Sequence, residues 1–230
     1  MPQNIGNAKN ILVGASPLFI SAKDSTQASY VENMEPSAYS SGVAWVAGTP
    51  YANTLNATDG SKFRNVGYTN NGLQITYNPS YGSVTVDQLL DTAKLFKESM
   101  EVMIATEMAE GTLENTLAVF GQGSSTLTSG GTGNTATQTL GLEAGALGVA
   151  PTERQLIAVG QAPTAATGVV SAERVYYARR VLSVQQSQFS LARNAATTFP
   201  VTFRLLPSGD SAYAGQEYGK IIDRVLTVTA

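Results

Sequence analysis

The 230-residue chain contains no cysteine and no histidine. The first absence excludes disulfides, thiol nucleophiles and thiolate zinc sites. The second removes the side chain that titrates near neutrality, and with it most triad chemistry. Charge is scarce as well: 13% of residues are charged, against about a quarter in an ordinary soluble domain. The 14 basic and 17 acidic side chains leave a formal charge of −3, so no whole-molecule basic field exists to attract nucleic acid or an anionic membrane. Nor does any stretch reach the roughly 18 consecutive apolar residues that a membrane helix needs. The nearest, Ile11 to Ile20 behind Lys9, has the length of a signal-peptide apolar region. Gly14 and Pro17 interrupt it and no small-x-small cleavage site follows, so it is read as part of a first strand near Asn10 to Ala22, with Ile11 and Val13 on one side.

Threonine, serine, asparagine and glycine stand where charged residues would be, while 43% of residues are apolar. Disorder requires low hydrophobicity and high net charge, and neither holds. The composition suits a β-rich protein whose surface is largely covered, as by an oligomeric interface, because interface cores are depleted in charge. The length allows one large domain or two small ones. Charge is also unevenly placed. Asp87, Asp91, Glu98, Glu101, Glu107, Glu110 and Glu114 outweigh Lys94 and Lys97, whereas eight bases outweigh five acids from Pro151 onward. Two such regions could face solvent, each other, or identical neighbours in a ring.

Residues 23–62 are poor in core signals apart from an island at Val43, Trp45 and Val46. Forty residues is too long for a plain loop in a compact domain. Trp45 is either a small local core or a contact anchor. Lys62 to Tyr68 reads as a strand, Asn70-Asn71-Gly72 as a tight-hairpin turn, Leu73 to Tyr77 as a second strand, Asn78 to Gly82 as a turn and Val84 to Val86 as a third strand. Thr92 to Glu110 supports two readings. Its Ala, Leu, Lys, Glu and Met content favours a helix, yet Met100, Val102, Ile104, Thr106 and Met108 alternate strictly with their neighbours, as in a half-buried strand.

A helix follows, with Thr112 as N-cap, Glu114 in the first turn and Gly121 as stop. Leu113, Leu117 and Phe120 form its apolar stripe. Residues 121–139 are almost all glycine, serine and threonine and read as a flexible surface loop; a Walker motif is excluded because no lysine lies between Lys97 and Lys220. Leu156 to Val159, Glu173 to Gln185, Thr198 to Leu206 and Lys220 to Thr229 are further strands. The fold class predicted is mainly β: an antiparallel β-sandwich or barrel with one short flanking α-helix. The chain is treated as a single domain over residues 1–230.

No constellation for catalysis, cofactor or metal emerges. Asp87 with Asp91, or Glu107 with Glu110, lack a partner base or ligand cluster and read as solvated acids. Asn56-Ala57-Thr58 is a chance glycosylation match, and Tyr176-Tyr177 reads as half-buried packing. No cofactor and no enzymatic activity are expected.

Three short motifs nevertheless come in a telling order: Phe63-Arg64-Asn65-Val66-Gly67-Tyr68-Thr69-Asn70-Asn71-Gly72-Leu73, then Val84-Thr85-Val86-Asp87-Gln88, then Glu110-Gly111-Thr112-Leu113-Glu114-Asn115-Thr116-Leu117. Over residues 63–121 the chain resembles the tail tube (major tail) proteins of tailed bacteriophages. That resemblance implies a β-sandwich or barrel with one flanking helix, six copies per ring, and rings stacked into a hollow virion tail assembled in the bacterial host cytoplasm. It implies strand for Thr92 to Glu110. It also implies self-association, tape measure, terminator and baseplate proteins as partners, DNA as passing cargo, and no membrane. Residues 36–62, with Val43, Trp45, Val46 and Tyr51, would correspond to the loop joining successive rings. Passing DNA carries one negative charge per about 1.7 Å of axis, so a basic lumen would hold it. Glu98, Glu101 and Glu107 are therefore expected to line or flank the bore, with Arg174, Arg179 and Arg180 away from it or in subunit contacts. Another β-rich virion component (tail terminator, decoration protein or injection-machine tube) and a carbohydrate-binding or adhesin module are the alternatives.

Overall fold

The computed structural model describes residues 14, 16–28, 30, 63–145, 147–163, 171–185, 187–191, 193, 194 and 196–226. Val43, Trp45, Val46 and Tyr51 lie outside these residues, as do Ile11, Val13 and Asn56-Ala57-Thr58. Within them the chain is mainly β: β1 (Leu18–Ser21), β2 (Phe63–Asn65), β3 (Thr69–Thr85), β4 (Thr92–Met108), β5 (Leu127–Gly130), β6 (Thr137–Leu140), β7 (Arg154–Gln161), β8 (Ser171–Ser183), β9 (Phe199–Leu205) and β10 (Gly219–Leu226). One α-helix, α1 (Leu113–Val119), follows β4. Eight strands form a sheet in the order β2-β1-β7-β8-β9-β4-β3, with β10 paired to β8. Every pairing is antiparallel. The edge of β8 away from β7 is shared: residues 171–178 pair with β10 and Val181–Ser183 with β9.

Alternating side chains explain the burial. Phe199, Val201, Phe203 and Leu205 on β9 and Val102, Ile104 and Met108 on β4 are buried in one cluster with Leu18, Ile20, Leu156, Ala158, Ala178 and Val181. The intervening Phe19, Ile157, Val175 and Tyr177 form a second cluster with Phe63. β1 and β7 are thus buried on both sides, and their near-continuous apolar runs follow from that position. Thr92–Met108 is a strand, as the alternation and the resemblance imply: tertiary burial of its even-numbered face overrides its helix propensity.

Two expected turns are not turns. β3 runs unbroken through both and pairs with β4 along its length; the chain reverses instead between Thr85 and Thr92. Asn71 and Gly72 do take positive φ (59° and 68°). They do so in a bulge, where four steps on β3, Asn70 to Gln74, oppose two on β4. Pro79 stays within the strand opposite Met100, which the edge position of β3 permits. The 121–139 stretch read as a loop contains a two-stranded ladder, β5 with β6, from Leu127↔Leu140 to Gly130↔Thr137. Glycine content hid it, because Gly131 and Gly133 are needed at positive φ in its connection.

α1 begins as expected: the Thr112 hydroxyl accepts from Asn115 N at 3.2 Å. Gly121, at φ 66°, follows its end. Its buried residues are Asn115, Leu117, Ala118 and Val119. Leu113 is half-buried, and Phe120 at the C-cap is exposed and stacks on Phe189, ring centroids 6.2 Å apart.

Candidate functional site

The first and last motifs of the resemblance meet in space, while Val84 to Gln88 lies at the far tip of the β3–β4 hairpin. Arg64 on β2 donates from Nη1 to Asn115 Oδ1 (2.6 Å) and from Nη2 to the Glu114 carbonyl (2.8 Å). Asn115 Nδ2 donates to the carbonyls of Val66 (2.8 Å) and Glu110 (3.0 Å). Burial, the largest influence, lowers the Arg64 pKa to about 10, with Arg154 pushing the same way and Glu114 opposing; the guanidinium remains charged at neutral pH. Gly67 sits at φ +84°, and a Cβ there would run into the Glu110 carboxyl, which accepts from Tyr68 N at 3.0 Å. Glycine is required on both counts. These residues line an open cleft of about 590 Å³ with Ser16 and Thr112. In the sequence Arg64, Gly67 and Asn115 stand only as motif members, and Glu110 reads as a solvated acid. The knot they form fixes the root of the β3–β4 hairpin.

From that root the hairpin extends past the core as an arm. β4 is buried at alternate positions as far as Val102, half-buried at Met100, and exposed from Thr92 to Ser99. The register sorts its side chains. Ile75, Tyr77, Pro79, Tyr81 and Ser83 oppose Ile104, Val102, Met100, Lys97 and Leu95, which continues the face that enters the core. Glu98 is the extra residue between the pairs Ser80↔Ser99 and Tyr81↔Lys97. This bulge brings the odd-numbered Leu95 and Lys97 onto the core-side face, where Lys97 Nζ lies 6.0 Å from the Tyr77 ring centre. Along this stripe Tyr77 (65%), Tyr81 (60%) and Leu95 (64%) stay exposed. The opposite face is polar along most of its length: Gln74, Thr76, Asn78 and Ser80 face Ala105, Met103, Glu101 and Ser99.

Glu98, Glu101 and Glu107 are spread along that polar face. The Glu98 carboxylate lies over Gly82, Glu101 reaches Arg204 at 3.6 Å, and Glu107 accepts from Asn70 Nδ2 (3.2 Å) and Asn71 Nδ2 (2.9 Å). The three arginines expected away from the bore or in subunit contacts each have partners inside the chain. Arg174 forms a two-point pair with Asp223, both contacts 2.6 Å. Hydrogen bonding to the partner holds the Asp223 carboxyl low and the arginine high. Arg180 pairs likewise with Glu153, both contacts 2.7 Å. Arg179 is fully buried, 3.8 Å below the Tyr213 ring centre, and donates to the Gln216 carbonyl at 3.0 Å. Its stem and head pack within the body.

A further charged centre was not foreseen. Asp24, fully buried, accepts from Arg154 Nη2 (2.9 Å), Ser124 N (2.8 Å), Thr26 N (3.0 Å) and the hydroxyls of Ser124 and Thr26. Burial pushes its carboxyl up, but the hydroxyls and Arg154 together outweigh burial and leave it below the usual range. Arg154 also donates to the Gln122 carbonyl at 3.0 Å. The centre therefore ties the segment after β1, the turn after α1 and β7 together.

Among the described residues no group of three or more metal-ligating side chains exists, and no helix is long and apolar enough to cross a membrane. The charged centres named above are engaged by partners within the chain, while the arm leaves Tyr77, Tyr81 and Leu95 exposed. No protein-family model matches the chain, and no curated protein matches it.

Proposed function

We propose that the chain is a structural subunit of a bacteriophage tail tube, copies of which close into hexameric rings that stack into the hollow conduit for DNA ejection. The observation that carries this reading is the β3–β4 arm. It holds an apolar stripe continuous with the core and leaves it in water, a state that a monomer gains nothing from and an assembly relieves. Two further features support it. The first and last motifs of the resemblance form one contiguous unit, with Arg64, Gly67, Glu110 and Asn115 locking the arm to α1. The acids Glu98, Glu101 and Glu107 share the polar face of the arm, which is the face suited to a bore that must not retain a polyanion. On this reading the protein is not an enzyme, works in the virion tail, and meets the tape measure, terminator and baseplate proteins at the ends of the tube. The branch at β8, where β10 and β9 leave the same edge, supports the sandwich or barrel that this reading calls for.

Electron microscopy with analytical ultracentrifugation tests the proposal. The expected result is rings with a central hole, or hollow polymers, growing with protein concentration. A single sedimenting species of monomer mass at every concentration overturns it.

A further inference from the structure

The sequence contains a single Asn-Gly step, Asn71-Gly72, and the proposed function makes no use of it. Among the described residues Asn71 is the one non-glycine at positive φ (59°), and Gly72 follows at 68°. Both are exposed. They stand in the bulge at the root of the arm, on a strand whose outer edge is unpaired among the described residues. Between the pairs Asn70↔Glu107 and Gln74↔Ala105, the three residues Asn71, Gly72 and Leu73 face Thr106 alone, so the pairing that fixes the rest of β3 is interrupted here. Side chains from β4 hold the bulge. The Glu107 carboxylate accepts from Asn71 Nδ2 at 2.9 Å and from Asn70 Nδ2 at 3.2 Å. The Thr106 hydroxyl donates to the Gly72 carbonyl at 2.8 Å. Beside them lies an open hollow of about 260 Å³, lined by Asn71, Gly72, Gln74, Glu107, Gln185 and Thr202 among others. Glu107 is the one charged residue in that lining, and the hollow is polar and roomy enough to admit water.

We propose that Asn71 is a site of spontaneous deamidation, with Glu107 as its restraint. The Gly72 backbone nitrogen, having given its proton to hydroxide, attacks Asn71 Cγ. The N–Cγ bond forms, the Cγ–Nδ2 bond breaks, and the amide nitrogen leaves as ammonia with a proton taken from water. Water then opens the five-membered imide. Cleavage at Cγ gives aspartate; cleavage at the Asn71 backbone carbonyl gives isoaspartate, whose main chain runs through Cβ. Glycine hinders its own nitrogen least, because no Cβ stands beside it. Closing the ring requires rotation about the Asn71 main chain. A residue within the ladder would surrender cross-strand bonds to make that rotation, and an edge bulge is released from this cost. Glu107 opposes the reaction in two ways. It ties down the leaving amide through a charge-assisted hydrogen bond, and its negative charge disfavours an anionic nitrogen nearby. The product places a carboxylate where an N–H donor stood, so two like charges replace a hydrogen-bonded pair and the clamp at the root of the arm is undone. Deamidation here needs no assembly and stands or falls separately from the tube reading.

Peptide mapping by mass spectrometry, on the full folded chain held at mildly alkaline pH, tests the proposal. The expected result is exchange of NH2 for OH at residue 71, in both aspartate and isoaspartate forms, at a rate that rises in proportion to hydroxide. Conversion is about ten- to a hundredfold slower than in the urea-unfolded chain, the worth of one charge-assisted hydrogen bond. Glu107→Gln, which removes the charge and retains an acceptor, closes most of that gap. Asn71→Gln keeps the amide but needs a six-membered ring, and shows no conversion at this position. A folded chain that keeps Asn71 intact well past that range overturns the site. A rate in Glu107→Gln no faster than in the unaltered chain overturns the restraint.

Discussion

The strands around β7 and the arm formed by β3 and β4 are made from the same residue classes but solve opposite problems. β1 and β7 bury both faces, and even their polar members are taken up: Gln155 is fully buried and accepts from the Tyr177 hydroxyl at 3.3 Å. The distal arm buries neither face, although Tyr77, Tyr81, Leu95 and Phe96 stand on it. On the proposed reading as a subunit finished by its neighbours, the body supplies the cooperative core and the arm defers its apolar burial to assembly.

That contrast is breakable by mutation, and the largest effect belongs to the body. Arg154→Ala strands the Asp24 carboxylate in the interior, and a loss of about 3–5 kcal/mol in urea unfolding is expected. Phe203→Ala, which empties the centre of the main cluster, costs a similar amount, about 3–5 kcal/mol. Acid sharpens the Asp24 result. Its folded-state carboxyl titrates below the unfolded value, so the unfolded chain binds the proton more readily as the pH drops. The stabilisation is present above about pH 4, the ordinary aspartate range, and fades as the pH falls through the folded-state value. In Asp24→Asn that part of the pH dependence disappears from unfolding curves measured from pH 6 down to 2.

Smaller effects belong to the root of the arm. Gly67→Ala meets both a positive φ and the Glu110 carboxyl, for about 1–3 kcal/mol. Thr112→Ala removes the α1 cap and costs about 1 kcal/mol. The smallest effect on folding is the one that matters most for the comparison. Tyr77→Ser with Tyr81→Ser should change subunit stability by no more than about 0.5 kcal/mol, yet abolish ring or tube formation in the microscope. A large loss of stability from that pair would show the arm to be core after all.

Much of the body was legible from sequence because burial there is periodic. Met100 to Met108 and Phe199 to Leu205 alternate, and apart from Thr106 the buried positions are apolar. Thr112 and Gly121 announced the ends of α1 through local chemistry alone. The arm was misread for a physical reason: Asn71-Gly72 and Pro79 signal turns only when the strand they interrupt must pair on both sides, and β3 pairs on one. The Asp24 centre was invisible because its partners lie 100 and 130 residues away, and an aspartate between lysine and serine reads as a solvated turn. The burial of Arg179 was invisible for a similar reason; Tyr177, Tyr213 and Gln216 surround it only after β8 and the segment before β10 come together. The hairpin root was half legible. Its residues were visible as a family-like pattern, but the hydrogen bonds from Arg64 to Asn115 span 51 positions.

The supernumerary Glu98 has an effect out of proportion to its size. It acts as an inversion point: outward of it, odd positions on β4 take over the side that even positions hold inward of it. Deleting one residue there would turn the tip inside out, sending Leu95 and Lys97 to the acidic side and Lys94 and Phe96 to the other, with no change in composition. For this stretch, the number of residues determines which surface a neighbour meets, and their identities come second.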